Sequence, residues 1–123
     1  MATIYVSKGE EVVVDAIEGG TACYIGWGTG AGTAAKGDTD LFTPATEARV
    51  VGTESQPTAD KNQWVATITC AGAGKTITNA GLFDAAGTGS PPSGGNLVIH
   101  GDFTGVVLAV GDAIQFTITL EQT

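Results

Sequence analysis

Apolar and polar residues alternate along much of this chain, most cleanly near its C-terminal end. In Ala113–Glu121 (AIQFTITLE) Ile114, Phe116, Ile118 and Leu120 fall on one face; Gln115, Thr117, Thr119 and Glu121 fall on the other. Such period-two patterning predicts a strand with one buried face. Gln63–Cys70 repeats it, setting Trp64, Ala66, Ile68 and Cys70 against Val65, Thr67 and Thr69. Thr76–Phe83, Asn96–Phe103, Ala22–Trp27 and, more weakly, Glu47–Thr53 read as further strands. Glu11–Glu18 (EVVVDAIE) is rich in β-branched residues and reads as another. Residues 1–9 read as an extended N-terminal arm, with Thr3–Ser7 its strand-like part and Lys8-Gly9 a hinge. Only Lys36–Leu41 has room for a helical turn.

Turn signals separate these runs. Gly72-Ala73-Gly74-Lys75 is short enough to close a hairpin between its neighbours. Gly111-Asp112 leads tightly into the last strand, and Ala85–Gly95, with Pro91-Pro92, reads as an exposed loop. About seven to eight antiparallel strands at this spacing predict one all-β domain over residues 1–123, a β-sandwich or jelly-roll-like barrel. Its core should hold Val13, Ile25, Trp64, Ile68, Leu82, Phe83, Leu97, Ile99, Phe103, Ile114, Phe116 and Ile118.

Between Tyr24 and Leu41 the pattern breaks, because Gly26, Gly28, Gly30 and Gly32 occupy alternate positions. Each glycine costs about 1 kcal/mol in a helix relative to alanine, so the run is no helix. It reads as a twisted loop leaving a strand, with Trp27 as its one large anchor.

Composition narrows the function classes. The 123 residues carry 13 acidic and 5 basic side chains, a net charge of −8. That excess repels phosphate backbones and anionic lipid, which argues against nucleic-acid or membrane binding. No apolar stretch approaches the ~20 residues of a membrane span. The start, MATIYVSKGEE, lacks the pattern of a signal peptide, so synthesis in a cytoplasm is expected. Two cysteines, Cys23 and Cys70, sit in apolar stretches and read as free thiols.

Chemical motifs are sparse. Gly74-Lys75-Thr76 lacks the earlier glycine of a phosphate loop, since position 69 is Thr69, and its sequel reads as strand. The alternate glycines lack the helix and acidic ribose partner of a dinucleotide fingerprint. Asp38-Thr39-Asp40 offers too few oxygens for a calcium loop. His100 is the only histidine, and alternation turns it outward. No catalytic residue, cofactor site or metal site is therefore expected.

Three segments together resemble a family of small bacteriophage virion proteins. They are Gly26–Gly30 (GWGTG) leading to Gly37-Asp38-Thr39-Asp40-Leu41, the box Ala80-Gly81-Leu82-Phe83-Asp84, and the closing Leu108-x-x-Gly111-Asp112-x-Ile114-x-Phe116. In so short a chain the combination looks most like a capsid decoration, or cement, protein. Related pieces occur in tail-fibre and collar proteins. The chain departs from the family at Asn79, where an acidic residue is usual, and at Phe42-Thr43-Pro44, where a glutamate is.

The resemblance implies a non-enzymatic structural protein on the capsid surface of a virion. Its partners would be the major capsid protein and sister subunits, with a trimer favoured. The expected contact residues are Ile4, Tyr5 and Val6 of the arm, with Trp27, Thr29 and Asp38 of the glycine loop. A tail-fibre, collar or knob module is the main alternative. A receptor- or glycan-binding module, with Trp27, Trp64 and Tyr24 stacking on sugars, is another.

Overall fold

The alternating segments form seven strands: β1 (Tyr24–Gly28), β2 (Val50–Val51), β3 (Thr53–Ser55), β4 (Lys61–Thr69), β5 (Lys75–Phe83), β6 (Leu97–Leu108) and β7 (Ala113–Glu121). They make two antiparallel sheets, one in the order β2-β1-β5-β6 and the other β3-β4-β7. With α1 (Ser7–Ile17) as the single helix among the described residues, this is an all-β sandwich. The structure is a computed structural model and describes residues 2–20 and 23–122. Ala22, the expected first residue of the Ala22–Trp27 strand, lies outside the described residues. No helix among them is long and apolar enough to cross a membrane.

The two sheets bury one face each against the other. Ile25, Trp27, Ile77, Ala80 and Leu82 of one meet Trp64, Ala66, Ile68 and Cys70 of the other. Each large side chain so enclosed contributes about 1.5–3 kcal/mol by leaving water. The sheets join at Gly52, where the chain steps from β2 to β3. Its N–H donates to the Cys23 carbonyl at 2.7 Å, and a Cβ there would lie 3.2 Å from that of Trp64. A bare backbone lets the chain turn through the core edge.

Several expectations are corrected. Glu11–Ile17 lies in a helix that Glu18 caps, not in a strand. Glu10 supplies negative charge to its first turn, Val14 is 1 % exposed, and Gly19 follows the last turn at φ +73°. A left-handed glycine just past a helix is a stop signal, and docking Val14 outweighs the strand preference of three valines. Helix therefore exceeds the expected turn or two, whereas Lys36–Leu41 holds only a turn.

The extended arm stops at Val6, and Lys8-Gly9 belong to the helix rather than to a hinge. Val13, placed in the core, is exposed. The Gly72–Lys75 segment joins two different sheets, because β4 pairs with β3 and β7 while β5 pairs with β1 and β6. It is a crossover and not a hairpin. Phe103 is 37 % exposed, because β6 bulges there: Phe103–Gly105 face the single residue Thr78 of β5.

Candidate attachment surface

The arm leaves the domain fully formed. Ile4 is 85 % exposed, Tyr5 52 % and Val6 57 %. Among the described residues its hydrogen bonds run only to its own helix, with the Tyr5 hydroxyl donating to the Gly9 carbonyl at 3.2 Å. The base is firmer. Asn62 donates to the Val14 carbonyl at 3.1 Å, Gln56 to Asp15 at 3.1 Å, and the Gly19 N–H to Glu54 at 2.7 Å. Helix α1 thus fixes where the arm starts and leaves its apolar side chains in water. Val12 adds to that surface.

The alternate glycines form a flat strip on which the returning chain lies. A Cβ at Gly28 would sit 2.4 Å from the Phe42 carbonyl oxygen, and one at Gly32 would meet the Phe42 ring at 2.7 Å. Backbone bonds from Thr29 to Thr43 and from Gly30 to Phe42, at 3.0 and 2.9 Å, seal the contact. This segment covers the outer face of β1 and β5. Thr29 is half-buried there.

Trp27 points the opposite way. It is 2 % exposed, packs edge-on against Phe116 and donates from Nε1 to Glu47 at 3.0 Å. It is a core residue, so its expected place on the contact surface is corrected. Alternation along β1 between Ile25 and Trp27 carried that signal.

Asp38 meets a partner that alternation had placed outside. The His100 side chain is 4 % exposed, its Nδ1 2.7 Å from the Asp38 carboxylate and its Nε2 3.0 Å from Asn79 Oδ1. The Phe42 ring lies over it at 4.6 Å between centroids. Asn79 is oriented by Phe42, accepting from its N–H and donating to its carbonyl, both at 3.0 Å. Bonds from the Ala35 N–H and then from His100 hold the Asp38 carboxyl below its ordinary range.

An open cavity of about 380 Å³ lies beside this cluster, lined by Ala34, Lys36, Leu97 and Val98 among others. Both ring nitrogens of His100 already face protein oxygens, so neither is directed into it. The cluster acts as a strut, pinning the glycine loop to β5 and β6. The Ala34 N–H, bonded to Asp102 at 2.8 Å, adds a second pin.

Sequence reasoning missed two further charged groups. Glu47 accepts from Trp27 Nε1, from the Ala71 N–H at 2.9 Å and from Lys75. Burial alone would raise its carboxyl, but these donors outweigh burial and hold it at about 2. It ties β1 to the crossover and to β5. Arg49 lies 3.5 Å over the Phe83 ring and donates to the carbonyls of Ala85 and Gly94 at 3.0 and 2.8 Å. It fastens the Ala85–Gly95 loop, in which Pro92 is buried. As the chain's only arginine, within an apolar stretch, it was the visible hint.

The arm is exposed and apolar, the glycine loop is rigid, and the charged side chains nearest the loop serve to brace it. Comparison with protein-family models, with curated proteins and with solved structures finds no match to this chain.

Proposed function

We propose that this chain is a structural virion protein, a decoration subunit that binds the outer surface of a bacteriophage head and reinforces it. The observation that carries the reading is the arm: three large apolar side chains held out from a finished domain. Exposed apolar segments mark interaction sites, and extended backbone is ready to add to a partner's sheet. The three family-like segments supply the link to a phage shell.

Energetics favour the same surface. Association costs an estimated 4–15 kcal/mol in lost freedom. Surface ion pairs return only ~0–1 kcal/mol each, and this chain has few cations with which to form them. Apolar burial and backbone pairing through Ile4, Tyr5 and Val6 are the stronger sources. Thr29 and Asp38 take part through the braced loop they belong to, with Trp27 supporting it from behind.

The partners in this reading are the major capsid protein and sister copies. A trimer on a local symmetry axis multiplies weak contacts. Net charge −8 keeps free copies apart before assembly. No cofactor, metal or catalytic step belongs to it. Quantifying this chain in purified particles tests the reading: a copy number matching the capsid lattice supports it. A few copies at one vertex would transfer the chain to the tail or collar.

A further inference from the structure

The sandwich is closed along one side and open along the other. At Gly52 the chain itself bridges the sheets. On the far side it crosses from β6 to β7 only at one end, through Ala109–Asp112. Along the strands β6 bonds only to β5 and β7 only to β4 among the described residues. Both are free edges, twelve and nine residues long. The bulge at Phe103–Gly105 bends β6 locally. Between the two edges lies an apolar groove of about 200 Å³, with Ala80, Ile99, Phe103, Phe116 and Ile118 in its lining. The inward row of β7, namely Ile114, Phe116, Ile118 and Leu120, is only half-buried as a result.

Natural edge strands are blunted by lysine, proline or charge. Neither β6 nor β7 contains a lysine or proline. Their carboxylates are already engaged, Asp102 by the Ala34 N–H and Glu121 by Lys61 at 3.5 Å. Glu121 is thus balanced by Lys61, while Asp102 keeps its charge on β6 beside the groove, so β7 is the edge free of unpaired charge and open to pairing.

An occupant of this groove must be short, extended, uncharged and apolar. Ala2–Val6 has each property, and none of its residues lines the groove of its own chain. Two copies at −8 repel each other over most of their surfaces. Seating this neutral arm on the β7 edge brings them together without setting a second carboxylate against Asp102.

We propose that the β6–β7 groove receives the Ala2–Val6 arm of a second copy of this chain. The arm adds to the free edge of β7, whose ladder with β4 runs without a register shift from Lys61–Glu121 to Thr69–Ala113. The three-stranded sheet then becomes four-stranded. Alternation turns Ile4 and Val6 inward onto Phe103 and Phe116, and Tyr5 outward. This deepens and rests on the self-association part of the proposed function, and is independent of the shell that is contacted.

The test uses the purified chain without heads. Sedimentation from micromolar to near-millimolar concentration should show association that weakens at least tenfold in Ile4→Lys/Val6→Lys, with unchanged circular dichroism. Under oxidation, Tyr5→Cys chains mixed with Thr117→Cys chains, both outward-facing in this pairing, should give a mixed dimer that neither forms alone. A monomer at every concentration overturns the proposal, as does association indifferent to the arm variant. So does a cross-link within one chain carrying both cysteines at monomeric dilution, since the arm would then fill its own groove. Chains that associate through the arm yet fail to decorate heads would sink the function and leave this inference standing. Chains that decorate as monomers would do the reverse.

Discussion

Replacing Glu47 with glutamine removes the charge from a carboxylate whose side chain is 5 % exposed and which three donors share. Folding holds this carboxyl at about 2 against an ordinary 4.5. That gap corresponds to roughly 3 kcal/mol of stability. Because the folded value is the lower one, the stabilisation is complete above the unfolded value near 4.5 and is lost as pH falls toward 2. Glutamine keeps one acceptor but leaves Lys75, itself largely buried, without its counter-charge.

At pH 7 the variant should be less stable by roughly 2–4 kcal/mol, in the range for breaking an enclosed pair. With a urea slope of about 1–3 kcal/mol/M the midpoint falls by about 1–3 M. Urea titrations at pH 7, 5 and 3, followed through the buried Trp27 and Trp64, measure it. Asp38, Asp60 and Asp84 also titrate below their ordinary range, but they are common to both proteins. The difference between the two curves therefore isolates Glu47, and it should hold from pH 7 to 5 and narrow by pH 3. A gap that stays constant down to pH 3, or no gap at pH 7, would refute the reasoning.

Three further substitutions, two of them with a control, probe the braced loop and the helix. Gly28→Ala drives a methyl into the Phe42 carbonyl and should cost about 1–3 kcal/mol in thermal or urea denaturation; Gly37→Ala, in open space, should stay within about 0.5 kcal/mol of wild type. His100→Ala strips a partner from both Asp38 and Asn79; limited proteolysis should cut between residues 29 and 40 sooner, with roughly 1–3 kcal/mol lost. Val14→Ala should loosen α1 at a cost of about 1–3 kcal/mol and reduce helical circular dichroism, while Val12→Ala on the exposed side should change neither.

The parts legible in the sequence are those where local pattern and tertiary environment agree. β7 spans the predicted Ala113–Glu121, and the inward row of β4 is the predicted Trp64, Ala66 and Ile68, continued by Cys70 just past the strand. Misreadings arose where a distant contact decides. Three consecutive valines favour a strand, yet Val14 finds its site as part of a helix on β4, and Gly19 stops that helix. Spacing made Gly72–Lys75 a hairpin, but β5 takes its partners from β1 and β6, far away in sequence.

At the site, the arm's apolar character was legible and its projection from α1 was not. His100 stands opposite Gly81 on the outer face where alternation placed it, and what no local pattern showed is that the glycine loop and Phe42 cover that face and bury it. Its partners, Asp38 and Asn79, stand 62 and 21 residues away, beyond any local pattern. Asn79 itself was noted only as a departure from an acidic residue, and it proves to be the side chain that pairs with the Phe42 backbone.

The account stands or falls on what the arm does, and binding to undecorated heads measures that most directly. Full-length chain and a chain lacking residues 2–6 are titrated onto purified heads, and bound copies per particle are counted. Since those residues make no hydrogen bond to either sheet among the described residues, the truncated domain should keep the thermal midpoint of the full chain. The account predicts saturation at lattice stoichiometry for the full chain and no measurable decoration by the truncated one. Full occupancy by the truncated chain would contradict it, placing attachment on another surface.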